Sequence, residues 1–199
     1  MADLEKTRKN LENRGFRAHV FATGAEAAEF LVQTLHGTSI GIGGSVTIDT
    51  LGVYDRLCGS NEVFWHWKNH APETRERAGK AETYLCSANG VSETGEIVNI
   101  DGYGNRVAGT ICGPERVFLV VGKNKIAPDL TGAIDRARNI AAPLNARRLN
   151  RHTPCAVGEP RCHDCRSPEK VCGVMTVFFM PPTSIKEFHV LLVNEDLGY

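Results

Sequence analysis

The order of apolar and punctuating segments predicts an α/β fold, a mainly parallel mixed sheet flanked by helices. Three observations carry this. Helical and extended patterns alternate through the first half of the chain, the order that buries parallel strands on both faces. Arg116 to Val121 (RVFLVV) is a continuous apolar run of strand length. A hairpin pattern and further strands follow the alternating half and add an antiparallel margin.

Taken in order, residues 3 to 14 set Leu4 and Leu11 among charges, with Asp3 as cap. They predict a mostly exposed opening helix ended by Gly15. Phe16 to Phe21 reads as a first strand. Thr23 or Gly24 then opens a second helix, Ala25 to Leu35, with Ala28, Leu31, Val32 and Leu35 inward. Ser39 to Ile42 is a short buried strand, followed by Gly43-Gly44-Ser45-Val46-Thr47. Glycines after a strand allow a tight turn with amides pointing outward, and the chain then enters a predicted helix, Val46 to Leu57, whose start suits an anion. Ser45 or Thr47 caps that helix or bonds a ligand. The turn is neither a Walker motif nor a dinucleotide fingerprint.

Glu62 to Trp67 predicts a strand in which Trp65 and Trp67 share a face in the core and His66 points outward to the surface. Pro72 to Lys80 is a polar helix and Thr83 to Ser87 a strand. Glu96 to Ile100 and Arg106 to Ala108, joined by Asp101-Gly102-Tyr103-Gly104-Asn105, read as a β-hairpin. After the strand Arg116 to Val121 comes an amphipathic helix, Asp129 to Leu144, with Arg136 and Arg138 facing solvent. Val174 to Met180 and Phe188 to Val193 are the last strands, separated by Pro181-Pro182. One domain over residues 1–199 is expected, with 150–173 inserted as a metal or cluster loop.

That loop holds four of the seven cysteines, spaced Cys155-x6-Cys162-x2-Cys165-x6-Cys172 among Pro154, Gly158, Pro160 and Pro168. Prolines and glycine prevent regular structure and let a loop wrap around something. Four thiolates this close repel unless a cation or cluster neutralises them. Zinc (Zn) and an iron–sulfur cluster both accept four thiolates. A zinc ribbon would show two Cys-x2-Cys pairs, and only one is present. Disulfides would need an oxidising compartment, for which no secretory segment speaks. A thioredoxin-like Cys162–Cys165 couple would open a helix, which Pro168 and the outer cysteines oppose. Cys58, Cys86 and Cys112 stand in apolar surroundings and read as buried small hydrophobes.

Hydrophobic residues make up 42% and charged residues 23% of 199, with a formal net charge of zero. This is globular composition without the basic excess of a nucleic-acid binder, so no nucleic acid is expected as partner. No run approaches the roughly 20 apolar residues of a spanning helix, so no membrane is expected either, and a cytoplasmic location is the default. Nothing opposes a homo-oligomer.

Two resemblances add to this reading. The cysteine loop resembles the cluster loop of the endonuclease III family of DNA glycosylases, a Cys-x6-Cys-x2-Cys-x5-Cys arrangement around a [4Fe-4S] cube; here the last gap is one residue longer. The likeness stops at the loop. Gly43-Gly44-Ser45-Val46-Thr47, then Ser92-Glu93-Thr94-Gly95, then Arg116 to Val121 with Asn124-Lys125-Ile126, resemble the LUD-domain family over roughly residues 5 to 195. That family includes the C component of the bacterial lactate-utilisation system, and the cysteine loop resembles an extension found in a subset of it. Membership would imply the fold shared by phosphosugar isomerases and CoA transferases. It would also invite comparison of Ser92-Glu93-Thr94-Gly95 with the Ser-Glu-Asn-Gly setting of the class I CoA transferase nucleophile.

The leading expectation is a redox accessory component. A [4Fe-4S] cluster on Cys155, Cys162, Cys165 and Cys172 passes electrons between a redox partner protein and the oxidation of lactate or another small organic acid. Gly43, Gly44, Ser45, Thr47 and Thr94 would hold the small anionic substrate. The alternative is an enzyme acting on a phosphorylated or acyl-CoA-type anion, with Glu93 catalytic and the metal loop structural.

Overall fold

The computed structural model describes residues 2–199. Helix α1 (Leu4–Asn13) starts where the Asp3 side chain accepts the Lys6 N–H and stops before Gly15, which turns the chain at φ +90°. Strand β1 (Arg17–Phe21) and α2 (Gly24–Thr34), capped by Thr23, follow as the pattern predicts. Next come β2 (Ser39–Ile42), α3 (Val46–Leu51), α4 (Tyr54–Cys58), β3 (Glu62–Trp65), α5 (Thr74–Lys80) and β4 (Thr83–Cys86). Then follow β5 (Gly90–Ser92), β6 (Ile97–Asp101), α6 (Asn105–Ile111), β7 (Arg116–Gly122) and β8 (Ile126–Ala127). A long helical segment is built from α7 (Leu130–Arg136), a π-helical turn (Ala137–Ala141) and α8 (Ala142–Arg148). The short α9 (Pro154–Val157), β9 (Val174–Phe178) and β10 (Glu187–Val193) complete the chain.

Six strands form one all-parallel sheet in the order β1-β10-β7-β4-β2-β3. The predicted α/β class holds. The antiparallel strands are not its margin, however, but a separate sheet ordered β8-β5-β6-β9. Alternation along the central strand β7 explains the layering. Val117, Leu119 and Val121 face one core with Leu11 of α1 and with Val91, Ile97 and Phe178 of the second sheet. Phe118 and Val120 face the other, filled by Ala28 and Leu31 of α2, Ile48 of α3 and Trp65. The second sheet turns its far side to a third cluster with Ala133, Ala137 and Ala142 of the π-interrupted helix.

Several local expectations are corrected. The hairpin at 96–108 does not form, because the Asp101 carboxylate accepts the N–H groups of Arg106 and Val107 and starts helix α6 instead. The helix Val46 to Leu57 is two helices, broken at Gly52, which adopts φ +64°. Cys86 is buried, whereas Cys58 and Cys112 are exposed. Arg136 is buried rather than solvent-facing, and Arg138 points toward the cysteine loop. Trp65 and Trp67 do stack in the core, with ring centroids 5.6 Å apart. Among the described residues no helix is long and apolar enough to cross a membrane.

Where β1 meets β10, His19 and His189 stack, with His19 Nε2 3.1 Å from His189 Nδ1 and Glu187 accepting from His189 Nε2 at 3.4 Å. Burial lowers the proton affinity of both rings. Glu187 opposes that at His189 and Glu12 at His19. Above about pH 6.5 folded and unfolded histidines are both neutral and the pair contributes no pH slope. Below it the unfolded chain binds protons that the folded pair resists, so stability falls as pH drops. Urea unfolding midpoints measured at pH 8, 6.5 and 5 are expected to show the histidine contribution as a decline chiefly over the last interval. The His19→Phe/His189→Phe variant should lose most of that decline.

Candidate functional site

The connections leaving β2 and β4 diverge, β2 leading to its outer neighbour β3 and β4 toward β7. In an open parallel sheet such divergence leaves a crevice at the carboxyl ends of the strands. A cleft of about 610 Å³ lies there. Its walls include Gly44 to Thr47 after β2, Ser87 to Asn89 after β4, Lys125 after β7, and Arg148 and Tyr199 above. Gly43 sits behind this wall, where an added Cβ would stand 3.2 Å from both Arg106 Cγ and Cys86 Cβ. The tight turn predicted from its glycines is therefore needed to let the arginine past. Ser45 caps α3 by accepting the Ile48 N–H at 3.3 Å.

Six basic side chains line the cleft: Arg75, Arg106, Lys125, Arg148, Arg151 and Lys170. None is ion-paired with a carboxylate among the described residues, although most surface arginines and lysines near an acid are. The two acids in the wall are occupied otherwise. Asp101 caps α6, and Glu169 takes the His152 N–H and ring. A cleft of this sign attracts anions.

Lys125 is 3% exposed, and its Nζ donates to Thr47 Oγ1 at 2.7 Å and Ser87 Oγ at 3.0 Å. Burial, reinforced by the charges of Arg136 and Arg106, pushes its ammonium down to about 7. Cys86 does not restore the charge, since burial pushes its own thiol up to about 12. Arg106 spends its fork on Ser87 O, Ile100 O, Asn89 Oδ1 and Asn99 Oδ1. Arg136 donates to Asn124 O at 2.8 Å and to Asn89 O.

Glu93 and Thr94 do not join this cleft. Glu93 lies on the turn after β5, where its carboxylate accepts the Asp3 N–H at 3.1 Å and Lys6 Nζ at 2.8 Å. The Lys6 hydrogen bond is the main cause of its lowered proton affinity, followed by the Asp3 amide. Thr94 Oγ1 donates to Glu96 and lies 3.0 Å from Ser92 Oγ, closing the same turn. The structure therefore separates these two from Gly43, Gly44, Ser45 and Thr47, which remain together.

Cys155, Cys162, Cys165 and Cys172 are all free and all line one cavity of about 200 Å³. Ile100, Ala142, Pro143, Val171 and Met175 supply its apolar walls. The π turn anchors the loop: Asn139 accepts the Cys162 N–H at 2.8 Å, and Arg138 reaches Cys162 Sγ and Asp164 at 3.4 Å. Burial raises the Cys172 thiol, and the other three cysteines add to that rise against Lys170. Among the described residues, no three His, Cys, Asp or Glu side chains stand closely enough to grip one metal ion.

Sequence reasoning gave Lys125, Arg106 and His66 no role in a site, although Lys125 stood in the Asn124-Lys125-Ile126 resemblance. His66 is not at the surface but lines the cleft, its Nδ1 buried without a partner among the described residues. The signal for Lys125 was its place just beyond the most apolar strand, in a segment that ends at the cleft.

The family model of the LUD domain matches residues 4–193. A crystal structure of a DUF162 family protein from Deinococcus radiodurans is similar with a TM-score of 0.56 at 14% identity, covering 96% of this chain and 95% of that one. That likeness is one of fold. No curated protein matches the chain.

Because Glu93 pins α1, Glu93→Gln should lower the thermal midpoint by about 2–4 °C and leave anion binding in the cleft unchanged. Differential scanning calorimetry and titration with a small carboxylate check the two halves. Loss of carboxylate binding with an unchanged midpoint would instead place Glu93 in the site.

Proposed function

Because the chain belongs to the LUD-domain family, we propose that it is a redox accessory protein of small organic acid oxidation, with a [4Fe-4S] cluster beside an anion-binding cleft. The observation that carries this reading is a shared wall. Ile100, Ala142, Lys170 and Val171 line both the cationic cleft and the four-cysteine cavity, so the two are one side chain apart.

The donor set fits such a cluster. Four unoxidised thiols surround a single apolar cavity of about 200 Å³, and four thiolates are the ligand set such a cluster takes. When bound, such a cluster supplies one-electron transfer. The chain's own groups do the rest. Arg75, Arg148 and Arg151 offer an unpaired positive field for the carboxylate of lactate or another small organic acid. Arg138 places its guanidinium 3.4 Å from Cys162 Sγ and sets a positive charge beside that sulfur. The apolar wall residues keep water from the sulfur side.

The cysteine loop faces outward, with Cys162 and Cys165 half-buried and Arg161, His163 and Asp164 exposed around them. An exposed rim over a redox centre is where a partner protein docks to exchange electrons.

Protein isolated without oxygen should be brown, carry four irons and four sulfides per chain, and give a spin-resonance signal in one of its two oxidation states. Cys165→Ser should lose at least half of that iron. Colourless protein with stoichiometric zinc, from the same anaerobic preparation, would overturn the electron-transfer reading.

A further inference from the structure

The hydrogen bonds around Lys125 are complete for a neutral amine. Thr47 gives its own hydrogen to Leu197 O at 3.2 Å, and Ser87 gives its own to Ala88 O at 3.3 Å. Both hydroxyls therefore accept from Nζ, at 2.7 and 3.0 Å. Two N–H groups satisfy both, and the lone pair is left over. An ammonium would carry a third N–H, for which no acceptor lies within hydrogen-bond range among the described residues. Lys125 also lines the cleft, together with guanidiniums that no carboxylate neutralises. A buried amine with a free lone pair beside an anion site is equipped as a nucleophile toward carbonyl carbon.

We propose that Lys125 forms an imine with the carbonyl of a small 2-oxo acid, whose carboxylate is held by the arginines of the cleft. This rests on the anion-binding reading of the cleft and not on the cluster. The Nζ lone pair forms a bond to the carbonyl carbon while the C=O π pair moves to oxygen, which takes one of the two N–H protons and becomes the carbinolamine hydroxyl, leaving nitrogen neutral. The remaining N–H proton and that hydroxyl then leave as water, and the C=N bond forms. Amine and carbonyl become imine and water, with no oxidant or reductant consumed. Thr47 Oγ1 and Ser87 Oγ, released from Nζ as its hydrogens are lost, accept hydrogen bonds from the carbinolamine. Burial and the field of Arg136 and Arg106 bring the ammonium down to about 7, so a large share of the amine is neutral at pH 7, where an exposed lysine is charged. The 2-oxo acid is also the oxidation product of a 2-hydroxy acid, so an imine at this position would retain the product of the chemistry proposed for the neighbouring centre.

Reductive trapping tests this directly. The full chain is incubated with pyruvate and cyanoborohydride, and intact mass and peptide mapping follow. One reduced adduct per chain is expected, mapped to Lys125. Its rate should rise with pH through about 7, whereas adducts on exposed lysines would increase only toward their ordinary value of about 10.4. Lactate, which has the carboxylate but no carbonyl, should give none. Thr47→Val should slow trapping about tenfold, and Lys125→Met should abolish it; if Lys125→Met fails to fold, mapping on the unaltered chain decides alone. Adducts confined to exposed lysines, or none at Lys125 while calorimetry shows pyruvate bound, would overturn the imine and leave the anion cleft standing. No adduct and no pyruvate binding would overturn both. Iron content, measured separately, reports on the cluster whichever result is obtained.

Discussion

Two guanidinium groups set against backbone carbonyls hold the joint on which the rest of the structure depends. After β4 the chain leaves the parallel sheet at Ser87 and enters the second sheet at Gly90, and neither ladder pairs the carbonyls in between. Buried carbonyls without partners are costly. Arg106 takes Ser87 O and Ile100 O, and Arg136 takes Asn89 O and Asn124 O. Asn89 adds its side-chain oxygen, which accepts from Arg106 at 2.7 Å and from the Ile100 N–H at 2.8 Å. Only a planar fork with five donors reaches several fixed acceptors at once; a lysine at either position would strand some of them.

The joint decides the chemistry above it. Two buried cations that answer to carbonyls rather than carboxylates leave their charge uncancelled beneath the cleft. Burial lowers even the Arg136 guanidinium to about 10, which keeps it charged at neutral pH. Lys125 is the group that gives way: burial, with the charges of both arginines, lowers its ammonium to about 7. On the readings proposed above, one field would account both for anion binding in the cleft and for the lowered proton affinity of Lys125. An anion entering the cleft offsets the same field, so its binding favours protonation of Lys125 where no covalent bond forms.

Local rules made much of this legible. The caps at Asp3, Thr23, Ser45 and Asp129 each sit where a short polar side chain precedes an apolar pattern, and each accepts the expected N–H. The cysteine spacing and the glycine turn were equally visible because both lie within one short stretch. Long-range partners were not. Arg136 reads as an exposed helix residue until Asn89, 47 positions away, offers its carbonyl. Lys125 meets Thr47 across 78 positions, and Glu93 meets Lys6 across 87. The Asp101-Gly102-Tyr103-Gly104 stretch failed differently. Its turn chemistry was read correctly, but the same aspartate that favours a hairpin turn also caps a helix, and the choice lay with the packing of Gly109 directly beneath the Tyr84 ring.

The cysteine loop and the cleft share more than a wall of side chains. Gly102 lies so close to Val171 that an added Cβ would stand 2.8 Å from its Cα, so the loop after β6 and the cysteine loop touch backbone to backbone. Lys170 and Val171 sit immediately before Cys172 and line both cavities. On the reading proposed here, assembling a centre on the four thiols therefore fixes one side of the cleft. The loop has few other means of holding its shape, since most of residues 157–170 are exposed and most of that stretch lacks regular structure. Folding free energy for such a segment comes largely from the group it encloses. Linkage then runs both ways: a ligand that touches Lys170 favours the ordered loop, and the ordered loop favours the ligand by the same factor. The separation of one side chain matters for thermodynamics as well as for electron transfer, and each site becomes a reporter of the other's occupancy.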